Sequence, residues 1–169
     1  LLLSAIHCQP STALAQGSLT PPGAPAPTMK TLDQIEARTP LSPNPGGISI
    51  NQSGSYYLTG NLTVTNSDGI SINADYVTLD LNGFTISSTA PVAATNCGIL
   101  LNGTREHIHI LNGHIKSGVV SLFGTFSGSG FGYGIYRSVY ARNTRVANVS
   151  VSGVLYDGIN IGGDVTLVQ

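Results

Sequence analysis

Two periods of apolar and polar residues divide the chain. Over 28–36, Met29, Leu32 and Ile35 recur every three residues, the spacing of one face of a short helix. Pro40, Pro43 and Pro45 forbid its continuation. A helix this short is not stable alone. Residues 28–45 are therefore expected to form a cap whose apolar helix face covers a larger body. From Gly46 onward the period is two. Val77, Leu79 and Leu81 alternate with Thr78 and Asp80, which puts apolar side chains on one strand face and polar ones on the other. The β-branched content favours strand over helix.

The strand pattern recurs. Gly69-Ile70-Ser71-Ile72 leads into Val77-Thr78-Leu79-Asp80-Leu81-Asn82-Gly83-Phe84-Thr85-Ile86, and Gly98-Ile99-Leu100-Leu101 leads into Ile108-His109-Ile110-Leu111-Asn112-Gly113-His114-Ile115. Gly134-Ile135 and Gly158-Ile159 open two further units. The Gly-Ile starts lie about 29, 36 and 24 residues apart, a range typical of solenoid repeats. Asn82-Gly83 and Asn112-Gly113 are turn dipeptides, because both residue types tolerate positive φ. They fit either type I′ hairpins or corners between strands of one coil. Recurrence favours corners, with Asn82 and Asn112 stacked and their amides hydrogen-bonded.

These units resemble the turns of right-handed parallel β-helix proteins of the pectin-lyase-like superfamily. Residues 28–40 together with Gly54-Ser55-Tyr56-Tyr57-Leu58 resemble the N-terminal region of exported bacterial β-helix repeat proteins. The resemblance runs from Thr28 to the end of the chain. It implies an all-β fold, a right-handed parallel β-helix (solenoid) over 46–169 with a short N-terminal capping helix. It also implies a polysaccharide partner, held on the outer face of a stacked sheet between inserted loops. Residues 116–133, rich in Gly and Ser and carrying Phe123, Phe126 and Phe131, have the make-up of such a loop.

Composition narrows the alternatives. Of 169 residues only 9% are charged and the net charge is -1, so no basic footprint for nucleic acid exists. No apolar run approaches the ~18 residues of a membrane span. Residues 1–15 begin with Leu1-Leu2-Leu3 and end in Ala13-Leu14-Ala15, the pattern of a signal-peptide remnant, which makes the protein secreted or surface-bound. Residues 16–27 are a Pro-rich linker. Cys97 is then the one thiol of the mature chain and is expected to be a buried apolar side chain. The run Val165–Val168 stops within a strand-like pattern, so the coil is expected to be incomplete at its C-terminus.

The candidate chemistry is sparse. A uronic-acid lyase needs a base and a cation facing the substrate carboxylate, and an inverting glycosidase needs two carboxyl groups about 6.5–9.5 Å apart. His107 and His109, two apart in a strand and so expected side by side on the outer face, are the candidate bases, with Asp80 as the candidate acid. The three histidines, with His114, lack a firm fourth ligand, so neither a metal nor any other cofactor is expected. Tyr133, Tyr136, Arg137, Tyr140 and Arg142, with Lys116, are candidate substrate-binding groups: tyrosine rings stack on sugar faces and arginine forks pair with carboxylates. The competing expectation is a non-catalytic surface or adhesion scaffold, in which the coil is a rigid rod with an outer face of Ser, Thr and Asn.

Overall fold

The structure is a computed structural model and describes residues 37–91, 95–163 and 166–168. The expected signal remnant, linker and helix over 28–36 lie outside these residues. No described residue is helical. The strands in chain order are β1 (Thr39–Leu41), β2 (Ile48–Ile50), β3 (Gly54–Leu58), β4 (Leu62–Val64), β5 (Ile70–Ile72), β6 (Val77–Asp80), β7 (Thr85–Ser88), β8 (Cys97–Leu101) and β9 (Arg105–Glu106). They continue as β10 (Ile108–Lys116), β11 (Val120–Leu122), β12 (Thr125–Ser127), β13 (Tyr133–Arg137), β14 (Ala141–Arg142), β15 (Thr144–Ser152), β16 (Ile159–Asn160) and β17 (Thr166–Val168).

Two parallel sheets carry the fold. One runs β2-β5-β8-β13-β16, and the other runs β1-β3-β6-β10-β15-β17 with β4 and β7 joined to it. Strand order follows chain order in both, so each pass of the chain adds a strand to each sheet. This is compatible with a β-helix-like solenoid. The register carries Ile70 onto Ile99, Ile135 and Ile159 in turn, matching the spacing of the Gly-Ile dipeptides. It also begins one pass earlier than the sequence pattern suggested, at Ile48, which pairs with Ile70. Within the stretch expected to cap the fold, Thr39–Leu41 is a strand that pairs with Tyr56–Leu58.

The core lies between the sheets and is built from aligned columns. Leu79, Ile110 and Val146 are neighbours across β6, β10 and β15, and none is exposed. Val77, Leu79 and Leu81 all point inward, as alternation requires. Each fully buried aliphatic side chain of this kind contributes about 1.5–3 kcal/mol.

The glycine is dictated by close approach at three of the four Gly-Ile starts, Gly158 meeting only Val151 at 3.8 Å. A Cβ on Gly69 would lie 2.4 Å from the Gly98 carbonyl oxygen, one on Gly98 2.8 Å from that of Gly134, and one on Gly134 2.2 Å from that of Gly158. The same three positions press against Ile86, Ile115 and Val151 of the opposite sheet. At these three the backbone of one pass thus rests on the next with no room for a side chain.

The Asn-Gly dipeptides are corners. β6 and β7 flank Asn82-Gly83, and both pair in parallel with β10, which itself runs through Asn112-Gly113. Asn82 and Asn112 have φ of 53° and 55°. Their side chains do not bond to each other. The Asn112 amide donates to Asp80 Oδ1 at 3.2 Å and the Asn148 amide to Asn112 Oδ1 at 3.2 Å, while Asn82 Nδ2 reaches back to the Leu58 carbonyl at 3.3 Å. The cause is a length difference. Four residues separate the paired positions Asp80 and Thr85, against two between Leu111 and His114, so Asn82 is displaced from the column.

Candidate functional site

The histidines do not form the expected pair. His107 precedes β10 and sits at a corner with φ of 56°, so strand alternation does not relate it to His109. Its ring stacks on Tyr76 of the preceding pass, with centroids 4.7 Å apart and planes 10° apart. Asn143 of the following pass approaches its Nε2 at 3.5 Å. Tyr76, His107 and Asn143 occupy one column, and all three have positive φ. His109 is exposed on the outer face of β10, between Thr78 and Arg145. His114 is also exposed there, its Nδ1 2.6 Å from Ser150 Oγ. Among the described residues no three His, Cys, Asp or Glu side chains converge as a metal site would need.

Asp80 is tied to structure. Its Oδ2 accepts from Arg38 at 3.0 Å, and its Oδ1 accepts the Asn82 backbone N–H and the Asn112 amide. Arg38 in turn lies over the Tyr57 ring, 4.9 Å from its centroid. The other described aspartates are also engaged. Asp68 Oδ1 caps the Cys97 N–H at 2.7 Å, Asp75 Oδ1 accepts from Arg105 and from the Glu106 N–H, and Asp157 Oδ2 accepts the Asn160 amide. Cys97 is buried as expected. Burial pushes its thiol up to about 12, and the neighbouring Asp68 adds to the rise. It is therefore a neutral packing residue and not a nucleophile.

The tyrosines and Arg137 fall into two groups. Tyr133 and Tyr136 on β13 stack with centroids 4.3 Å apart, and Tyr156 of the next pass leans against Tyr133 at 5.0 Å. Desolvation raises the Tyr133 phenol above its ordinary value, and Tyr136 and Tyr156 beside it add to the shift. Arg137 lies 5.8 Å from the Tyr140 ring centroid and donates from Nη1 to the Val139 carbonyl. Its Nε is enclosed without an acceptor, so a two-pronged grip on a carboxylate through Nε is blocked by its own surroundings. Arg142 is exposed on β14, opposite Glu106 of β9. Lys116 stands at the far end of β10, between Ser87 and Ser152, and belongs to the other sheet.

Three features escaped the sequence pattern. Tyr156 completes the tyrosine group, and Tyr76 supplies the ring beneath His107. Asn51, Asn73 and Asn102 form an amide ladder, with Asn73 Nδ2 to Asn51 Oδ1 at 2.8 Å and Asn102 Nδ2 to Asn73 Oδ1 at 2.9 Å. The signal for the ladder was present, since an Asn closes each of the segments Ile48–Asn51, Ile70–Asn73 and Ile99–Asn102. In the inserted loop, Phe131 is fully buried while Phe123 is fully exposed. No known protein family, curated protein or solved structure matches this chain.

Proposed function

We propose that this chain is an exported right-handed parallel β-helix protein of the pectin-lyase-like kind, and that it holds a polysaccharide without cleaving it along the described stretch. The carrying observation is the gathering of Tyr133, Tyr136 and Tyr156 from two successive passes at one place on the five-stranded sheet. Tyrosine rings offer an apolar body to the C–H face of a sugar and a hydroxyl to its rim. Tyr156 is 55% exposed and Tyr140, beside Arg137, is 59% exposed, so a ligand has aromatic surface to meet. Arg137 and Arg142 favour an acidic glycan. The reading of binding without cleavage is supported by the aspartates, since all four described ones already accept hydrogen bonds within the fold.

The test is a panel of pectin, alginate and neutral glycans, scored separately for retention of the protein and for release of unsaturated or reducing ends. Retention on an acidic glycan with no product, lost in Tyr136→Ala and Tyr156→Ala, is the expected result. Product formation overturns the non-catalytic part, and absence of binding across the panel overturns the whole. In that case the second reading stands, a structural rod. Its support is the run of small polar side chains on outer faces, such as Ser49 and Ser71 side by side and Thr63 bonded to Ser87 at 2.9 Å.

A further inference from the structure

One arginine occupies a core position of the five-stranded sheet. The register aligns Ile50, Ile72, Leu101 and Arg137 across β2, β5, β8 and β13. Aligned residues of a parallel sheet point to the same face. The first three are core aliphatics, none more than 2% exposed. Along β13, Ile135 is buried and Tyr136 faces outward, so alternation turns Arg137 inward as well. In the following pass Asn160 pairs with Tyr136, and Ile161, one step further on, is again buried. The arginine therefore interrupts a run of aliphatic side chains that resumes after it.

Its guanidinium is incompletely satisfied. Nε is enclosed and has no acceptor, and Nη1 donates to the Val139 carbonyl. Among the described residues nothing accepts from Nη2, which, unlike Nε, is not enclosed. Among them, too, no carboxylate pairs with Arg137, whereas Arg38 and Arg105 are held by Asp80 and Asp75. Gly162 of the following pass lies beside Nη2, where a Cβ would stand 3.8 Å from it. The exposed Tyr140 ring flanks the same guanidinium. A leucine here would complete the aliphatic column and leave no polar group unpaired, so the arginine is held at a cost to stability. Local rules are broken in this way at functional sites.

We infer that Arg137 is the residue that selects a charged ligand, its open Nη2 nitrogen binding one oxyanion, a carboxylate or a sulfate group on a sugar, at the corner that follows β13. A guanidinium carries donors only and is charged at every physiological pH, so its complement is an anion. The enclosed Nε and the engaged Nη1 leave a single prong. The groups that contact the guanidinium, the Val139 carbonyl and the Tyr140 ring, are neutral and leave its charge unanswered. Partial burial strengthens the contact, because water competes less for a half-enclosed guanidinium. The Tyr140 ring offers its apolar face to the sugar that carries the anion. Arg142 shows no such anomaly, since it is exposed and stands in register with Glu106. The inference rests on the glycan reading only for the sugar; the oxyanion contact stands on Arg137 itself.

The experiment is thermal melting of the full chain with sodium galacturonate, galactose sulfate or neutral galactose at constant ionic strength. The wild-type melting temperature is expected to rise with the anions and not with galactose, and the anion that acts at lower concentration identifies the group. Arg137→Leu is expected to match the wild-type melting temperature or exceed it by a few degrees, and to ignore all three sugars. Arg137→Lys keeps a charge without Nη2 and is expected to bind the anion about tenfold more weakly. The enclosed Nε–H is expected to give a slowly exchanging proton–nitrogen resonance that moves on anion binding, which a purely structural arginine would not show. An Arg137→Leu protein that melts lower or fails to fold overturns the inference, since the arginine would then serve the fold. Wild type whose melting and Nε resonance ignore both anions overturns it too, as does an Arg137→Leu or Arg137→Lys protein that responds like wild type. Retention on an acidic glycan without any response at Arg137 sinks this inference alone, and a response at Arg137 without retention sinks the glycan reading alone.

Discussion

Tyr76 and His107 stack nearly parallel, 4.7 Å apart and one pass of the chain from each other, at corners where each backbone has a φ of 56°. The next residue in that column is Asn143, of the type that tolerates such a corner best. Two opposing effects meet here. The left-handed backbone costs about 1 kcal/mol for a tyrosine and less for a histidine. The ring pair returns about 0.5–1.5 kcal/mol.

The two effects separate in a double-mutant cycle. Tyr76→Asn relieves strain and loses the stack, so its stability is expected to stay within about 0.5 kcal/mol of wild type. His107→Asn loses the same stack with less relief and is expected to be less stable. The double variant loses the stack only once and is expected to exceed the sum of the singles by about 1 kcal/mol. Denaturant midpoints of the four proteins give the coupling directly. Additive singles would show that the rings contribute nothing through each other.

The glycine column gives a sharper contrast. Gly98→Ala puts a Cβ 2.5 Å from Ile115 Cγ2 and 2.8 Å from the Gly134 carbonyl, and neither the core nor the backbone can yield cheaply. A loss of about 3 kcal/mol or more is expected, at the upper end of overpacking penalties. Gly83→Ala meets nothing within 4 Å and is strained only by its φ of 77°. Its loss is expected to be about 1 kcal/mol. Thermal melts of the two variants should differ clearly, and equal losses would show that conformation, not contact, selects these glycines.

The parallel sheets were legible in the sequence because close approach admits only glycine and the core admits only aliphatics. Both constraints act on residue type, so Gly69-Ile70, Gly98-Ile99 and Gly134-Ile135 mark the register directly, and Gly158-Ile159 continues it without the close contact. Alternation likewise placed Val77, Leu79 and Leu81 inside. Alternation misled at His107, because a left-handed corner interrupts the strand just before Ile108, and nothing in a lone His announces positive φ. Besides the local Asn82 N–H, Asp80 has partners 42 and 32 residues away, Arg38 and Asn112, and that part of its role depends on register and not on its local pattern. The tyrosine group was partly legible, since Tyr133 and Tyr136 share a strand, while Tyr156 reaches them only through the next pass.

Asn73 occupies the centre of the amide ladder, donating to Asn51 and accepting from Asn102. Asn73→Ala removes both bonds, whereas Asn51→Ala removes one. At about 1 kcal/mol for each net hydrogen bond, the losses are expected to be about 2 and 1 kcal/mol. Exposure of the ladder to water lowers both figures together, so their ratio is the quantity to test. Equal denaturant midpoints for the two variants would show that the ladder is ornamental to stability.

Cys97 makes stability fall in alkali. Its thiol titrates near 12 in the folded protein, raised from an ordinary 9.0 chiefly by burial. Between these values the unfolded chain releases the proton and the folded chain keeps it, so the folded state binds more protons and stability declines as pH rises. The contribution is complete below about pH 9 and is lost progressively up to about pH 12, with a limiting slope of about 1.4 kcal/mol per pH unit. Other groups titrate in the same range, so the informative quantity is the difference between wild type and Cys97→Ala. The variant gives up some packing at every pH, and the gap between the two proteins is expected to narrow above pH 9. The same burial should leave Cys97 unreactive toward thiol reagents at neutral pH until the chain is unfolded. A constant gap from pH 7 to 11, or rapid labelling of the native protein, would contradict this assignment.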